Sequence, residues 1–159
     1  MNIRIVTVGR IKEKFLTMAI DEYSKRLKAF CKLEITEVKD ERTPDGASPA
    51  ENQRILAAEG DRIAKYIRPG SVVVTLDIQG EQLTSPQFSK KLEAYALAGK
   101  SDITFIIGGS LGLAPEIKSR AQWSLSFSKM TFPHQLFRVM LLEQIYRAFK
   151  ISKNEPYHK

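Results

Sequence analysis

Along the chain the spacing of apolar and polar positions changes period several times, and each change marks an element. Residues 3–8 form a short β-branched run that reads as a buried strand, closed by Gly9. Residues 12–30 then follow helical spacing, with Phe15, Ala19, Tyr23 and Leu27 four apart and Lys14, Lys25, Arg26 and Lys28 on another face. Residues 33–38 alternate as a second strand. Thr43-Pro44-Asp45-Gly46 sits in a turn or mobile loop over 40–47. Ser48, Pro49 and Glu51 form a capping box with proline at the first helical position, predicting a helix to about residue 67. Residues 71–78 make the third strand, with Val72-Val73-Val74-Thr75-Leu76 reading as buried on both faces, and Gln79-Gly80 turns the chain. A helix over 86–97, a strand over 103–107, a short helix over 115–121 and a weaker strand over 123–127 follow. The strongest helical pattern, 135–151, comes last. Phe137, Leu141, Leu142, Ile145, Ala148 and Phe149 share one apolar arc, Arg138 falls inside it, and Glu143, Arg147 and Lys150 lie opposite. Strands alternating with helices predict an α/β fold, a mostly parallel sheet with helices on both faces. No repeat or linker interrupts residues 1–159, so a single domain is expected.

Just before that last helix, Leu125-Ser126-Phe127-Ser128-Lys129-Met130-Thr131-Phe132-Pro133-His134 alternates apolar and polar positions without a glycine. Its backbone is therefore stiffer than an ordinary linker, and Pro133 favours a turn or a helix start. Arg138 has two readings: a stem covering apolar surface with its head in water, or a guanidinium aimed at a phosphate or carboxylate across an interface.

Composition narrows the classes. The chain has 159 residues and a single cysteine, Cys31, so neither an internal disulfide nor a cysteine zinc site is expected. Two histidines, His134 and His158, leave little for a structural metal. No apolar run approaches a membrane span, and the opening Met1-Asn2-Ile3-Arg4-Ile5-Val6 reads as a strand rather than a signal peptide. The expected home is a reducing cytoplasm. Net charge is +7, which favours a polyanionic partner. Cations concentrate near the end, where Lys129, Arg138, Arg147, Lys150, Lys153 and Lys159 outnumber Glu143 and Glu155. Cations interleaved with Tyr157 and His158 suit RNA, whose phosphates and unstacked bases are bound together.

In open α/β sheets, ligands bind beyond the carboxyl ends of the strands. Three strand ends are distinctive: residues 76–80, residues 107–109 and the stretch from 125 to 132. Gly108, Gly109 and Gly112 either let a ligand approach the backbone or only serve a tight turn. The glycine spacing matches neither a dinucleotide fingerprint nor a phosphate-cradling loop, which weakens a nucleotide-dependent enzyme on a similar sheet. Asp77 and Glu81 read as paired carboxylates or as solvent-facing loop charge. A noncatalytic ribosome-binding factor that uses its basic tail to grip RNA is a further alternative.

Taken together, Ile106-Ile107-Gly108-Gly109-Ser110-Leu111-Gly112, the stretch 125–134, Arg138, Glu143, Gln144, Tyr146 and Arg147, and the terminal Tyr157-His158-Lys159 resemble the RlmH family over the whole chain. These are SPOUT-class methyltransferases of large-subunit ribosomal RNA. The resemblance implies an α/β knot with a C-terminal trefoil knot, an exception among folds that nothing in the periodicity predicts. It implies a homodimer that uses S-adenosylmethionine to methylate N3 of a pseudouridine in 23S rRNA of the assembled ribosome. It places the cofactor at Leu76, Gly108, Phe127, Ser128, Lys129, Met130, Thr131 and Phe132. It places the substrate at His134, Tyr157 and Lys159, with catalytic roles for Arg138 or His158. Tyr157 would stack on or near the flipped base. Lys159 stands where some relatives have arginine, replacing a bidentate fork by a compact ammonium.

Overall fold

Five runs rich in Val, Ile and Leu pair into one sheet because none of them can bury its backbone alone. The computed structural model describes residues 1–159. The strands are β1 (Asn2–Val8), β2 (Lys32–Val38), β3 (Val72–Gln82), β4 (Asp102–Ile107) and β5 (Trp123–Ser126). They lie in the order β2-β1-β4-β3-β5, and every neighbouring pair is parallel. Parallel neighbours need crossovers, and the four connections carry α1 (Lys14–Leu27), α2 (Pro49–Ala64), α3 (Ser85–Leu97) and α4 (Pro115–Lys118); α5 (His134–Ser152) follows the last strand.

Alternation along each strand divides the interior in two. Ile3 and Ile5 of β1, with Ile103, Phe105 and Ile107 of β4, face a core closed by α1, α3 and α5. Val6, Val8 and Ile106 face a second core closed by α2 and α4. The long helix α5 buries Arg138, Leu141, Leu142, Ile145 and Ala148. Ser89 of α3 donates a hydrogen bond to the Ala148 carbonyl at 2.7 Å, tying the two helices together. The capping box at Ser48 and Glu51 forms as its sequence requires, and Thr84 with Gln87 forms another at the start of α3.

Three expectations need correction. Phe15 is not on the buried face of α1; it is 69% exposed, and Leu16, Ile20, Tyr23 and Leu27 pack inward instead. Both sets have helical spacing, so only the position of the sheet chooses between them. The helix over 115–121 ends at Lys118. The third difference matters most for function. Gln79-Gly80 does not end the third strand, because β3 runs on to Gln82. Leu125 of β5 stands opposite both Leu76 and Glu81, so residues 77–80 are extruded as a bulge. A side chain at Gly80 would come within 2.8 Å of the Ser124 and Leu125 backbone, which explains why the crossing needs glycine.

Candidate active site at the carboxyl edge of the sheet

All five strands being parallel, their carboxyl ends lie along one edge, and a cavity of about 400 Å³ opens there. Three segments build it: residues 76–79 of the β3 bulge, residues 107–113 after β4, and residues 125–128 with 130–132 after β5. Lys118, His134 and Phe137 complete the lining.

Each wall has a local cause. After β4, the Gly112 amide donates to the Gly109 carbonyl at 3.1 Å, closing a tight four-residue turn with Gly112 at φ +83°. A Cβ on Gly108 would lie 2.3 Å from the Gly112 carbonyl oxygen, so this turn is folded directly against that glycine. The loop after β5 is stiffened from within. Ser126 donates to the Ser128 carbonyl at 3.0 Å, and the Met130 amide donates to the Ser128 hydroxyl at 3.0 Å. Phe137 of α5 then clamps both ends of the loop, stacked on Phe127 at 5.4 Å between ring centroids and edge-on to Phe132 at 5.6 Å.

Two carboxylates that the sequence places near each other separate here. Asp77 holds Lys118 at 2.7 Å on the cavity wall, whereas Glu81 pairs with Lys91 outside it. The Lys118 contact and the Gln79 amide hold the Asp77 carboxyl below its ordinary value, against the upward push of burial.

Arg138 lies beneath the site and is 2% exposed. Its guanidinium donates to Glu37 at 2.6 Å and to the Gly9 and Val8 carbonyls at 2.7 and 3.1 Å, while its Nε has no partner. It therefore fastens α5 to the ends of β1 and β2 rather than reaching solvent. One turn earlier on the helix, His134 borders the cavity near Gly9 and Asp40. Burial lowers its pKa below the ordinary histidine value, and the Arg138 charge lowers it further.

Of the residues expected around a cofactor, Leu76, Gly108, Phe127, Ser128, Met130, Thr131 and Phe132 line the cavity, and Lys129 does not. The tail lies elsewhere. The Tyr157 hydroxyl donates to Glu143 at 3.2 Å, its ring sits under Arg147, and His158 Nδ1 lies 3.2 Å from Arg147. Lys159 is exposed. Burial and the Glu143 charge push the Tyr157 phenol up to about 12. Phe137 is the last α5 residue on the cavity wall, and Glu143 and Arg147 follow it by six and ten helical positions, about 9 and 15 Å along the axis. Within one chain the tail is therefore docked along α5, outside the cavity lining. The sequence reading missed Lys118 as a wall residue, since only the fold brings the end of α4 beside β3. No three His, Cys, Asp or Glu residues are grouped to hold a metal ion, and no helix is long and apolar enough to cross a membrane.

Comparison with known proteins bears on this edge. The family described as "Predicted SPOUT methyltransferase" matches residues 1–158. The ribosomal RNA large subunit methyltransferase H of Clostridium botulinum is 60% identical over 159 residues, covering all of both chains. The protein called ribosomal RNA large subunit methyltransferase H 1 in Clostridium perfringens is 58% identical over the same span. A solved structure of a probable methylase family protein from Haemophilus influenzae Rd KW20 superposes with a TM-score of 0.52 at 18% identity, covering 96% of this chain and 66% of that one. That distant likeness carries the fold, whereas identity over the full length carries descent. The chain belongs to the SPOUT methyltransferase family, among the ribosomal RNA large subunit methyltransferase H proteins.

Proposed function

We propose that this protein methylates ribosomal RNA of the large subunit with S-adenosylmethionine as donor. Its target is N3 of a pseudouridine in 23S rRNA, and it acts as a homodimer on the assembled ribosome in the cytoplasm. The observation that carries this reading is the cavity built by three strand ends and a stiff aromatic-clamped loop. The names of relatives 58–60% identical over their whole length supply the RNA.

The lining fits the donor. Leu76, Phe127, Phe132 and Phe137 offer apolar walls for a purine, serine hydroxyls and strand-end backbone offer polar contacts, and one carboxylate and one ammonium stand on the wall. A C-terminal trefoil knot, formed as the chain after β5 passes through an earlier loop, would keep those walls together. When bound, the donor supplies a methyl group on positively charged sulfur. The chain's own work is placement and proton handling. The acceptor is an imide nitrogen that must lose its proton, so a nearby base or cation lowers the barrier. His134, kept neutral by burial and by Arg138, stands at the cavity to contact the acceptor base. Arg138 acts through position: it locks the start of α5 to the ends of β1 and β2.

His158 and Tyr157 do not line their own cavity and are held by Arg147 and Glu143, so the reading assigns their participation to the cavity of a second copy. Exposed and half-buried apolar positions on two helices support a contact with that copy. Leu136, Val139, Met140 and Glu143 form a stripe on α5 opposite its buried face, and α1 leaves Phe15 and Met18 69% and 62% exposed. A twofold contact there would carry each tail toward the other protomer's cavity, where Tyr157 stacks on the base and His158 assists proton loss.

Two experiments test the reading. Ribosomes from a strain lacking the gene should gain one methyl group on the large-subunit RNA when incubated with protein and donor, located by mass mapping; isolated RNA should not. RNA binding without methyl transfer would leave only a noncatalytic ribosome-binding role. Mixing a Gly108-blocked variant with a tail-deleted variant should restore activity that neither has alone. Failure to complement would remove the shared site.

A further inference from the structure

The geometry points to the Asp77–Lys118 pair as the subsite for the α-amino acid end of the donor, with Asp77 accepting from the ammonium and Lys118 donating to the carboxylate. This rests on the reading of the cavity as the donor site and asks which end of the donor lies where.

Asp77 is the only carboxylate and Lys118 the only lysine or arginine on the cavity wall. Their charged ends are 2.7 Å apart, on elements that are distant in sequence. The β3 bulge creates this juxtaposition, for without residues 77–80 extruded Asp77 would continue the strand beside β5. Asp77 is held in place from behind: its Oδ1 accepts from the Gln79 amide at 3.0 Å, and its side chain is only 14% exposed. Lys118 is 43% exposed and keeps two N–H donors beyond its contact with Asp77. An ion pair in a mostly apolar wall suits one kind of ligand end. A lone anion or cation laid there would meet one repulsive partner. A zwitterion laid antiparallel to the pair meets two attractive ones, and the four charges sum to zero. The amino acid end of S-adenosylmethionine carries ammonium and carboxylate on one carbon. The apolar walls around Phe127, Phe132 and Phe137 remain for the adenine.

Calorimetry with two probes tests this. S-adenosylhomocysteine and methylthioadenosine are both uncharged at sulfur and share the nucleoside; they differ in the amino acid end. The wild-type protein should bind S-adenosylhomocysteine more tightly. Lys118→Met and Asp77→Asn should each weaken S-adenosylhomocysteine by roughly five- to tenfold, the scale of a partly exposed charged contact, and leave methylthioadenosine unchanged. Asp77 keeps its contact with the Gln79 amide in Lys118→Met, so this variant should fold with a melt a little below the wild type and keep the test valid if Asp77→Asn folds poorly. Equal losses for both probes would move the pair to the nucleoside half and overturn the assignment. So would affinities unchanged in both variants. If neither probe nor S-adenosylmethionine binds the wild-type protein, the donor-site reading itself falls, and this assignment with it.

Discussion

Glu59 shows how a single residue can set a wall of the site at a cost. It is 4% exposed, and its carboxylate accepts from the Glu41 amide at 3.1 Å and lies 3.2 Å from where a Gly109 Cβ would stand. Burial raises its pKa, helped by Asp40 and Glu41. A carboxyl raised in the folded state stabilises the protein below its unfolded pKa and loses that contribution as pH rises through the folded value. Glu59→Gln keeps an acceptor for Glu41 and removes the charge. It should therefore raise the melting temperature at pH 7–8, by about 2–4 °C per kcal/mol gained. A lower melting temperature there would mean the charge itself is needed. His134 has the opposite sign. Its pKa is lowered by burial and by Arg138, with Asp40 opposing, so its contribution is present above its unfolded pKa and lost as pH falls through the folded one. The acid limb of methyl transfer should accordingly fall below pH 6.5, the ordinary histidine value, and His134→Gln should flatten it. Gly108 is constrained by sterics alone. Gly108→Ala drives a methyl into the Gly112 backbone, so the turn must open, and donor affinity by calorimetry should drop at least about tenfold.

Among the elements, α5 carries the most meaning because its faces do different things. The arc foreseen from the sequence divides in the structure. Leu141, Leu142, Ile145 and Ala148 fill the core, Phe137 clamps the site loop, and Phe149 stacks on Phe30. The apolar residues left on the opposite face, where the proposed dimer would form, are Leu136, Val139 and Met140, which sequence spacing did not single out. Phe15→Asp with Met18→Asp on α1, or Leu136→Asp on α5, touches exposed apolar side chains. Each change should leave the melt and donor binding intact while producing a monomer by sedimentation and abolishing methylation. A dimer that survives all three would place the interface elsewhere. The helices and strands themselves were legible because their periods are local. The β3 bulge was not, because Gln79-Gly80 has the composition of a turn and only the pairing of Leu76 and Glu81 with β5 on either side of it keeps the strand going.

For the whole molecule, the proposed function gives the tail a part in the reaction. Its last residues are docked through Glu143 and Arg147, about 9 and 15 Å along α5 from Phe137 on the cavity wall. Deleting residues 157–159 should therefore abolish methylation of ribosomes while leaving donor affinity within about twofold, since no donor contact is removed. Normal turnover after the deletion would take the tail out of the mechanism. Charge acts at this scale too. The net charge of +7 should make ribosome binding weaken steeply with salt, because each phosphate contact releases counterions.

The sequence by itself determined the strands, the helices, the basic end and the family, because hydrophobic period, capping chemistry and motif identity are written in neighbouring residues. It also marked the three segments that line the cavity, since strand ends in a parallel sheet share one edge. Only the tertiary structure decided that Arg138 is a buried fastener, that Asp77 takes Lys118 and not Glu81 as its neighbour, that Phe15 faces outward, and that the tail docks on Glu143 and Arg147 outside its own cavity. Each of these depends on residues distant in sequence meeting across the sheet or along α5. Local spacing cannot encode such meetings; packing does.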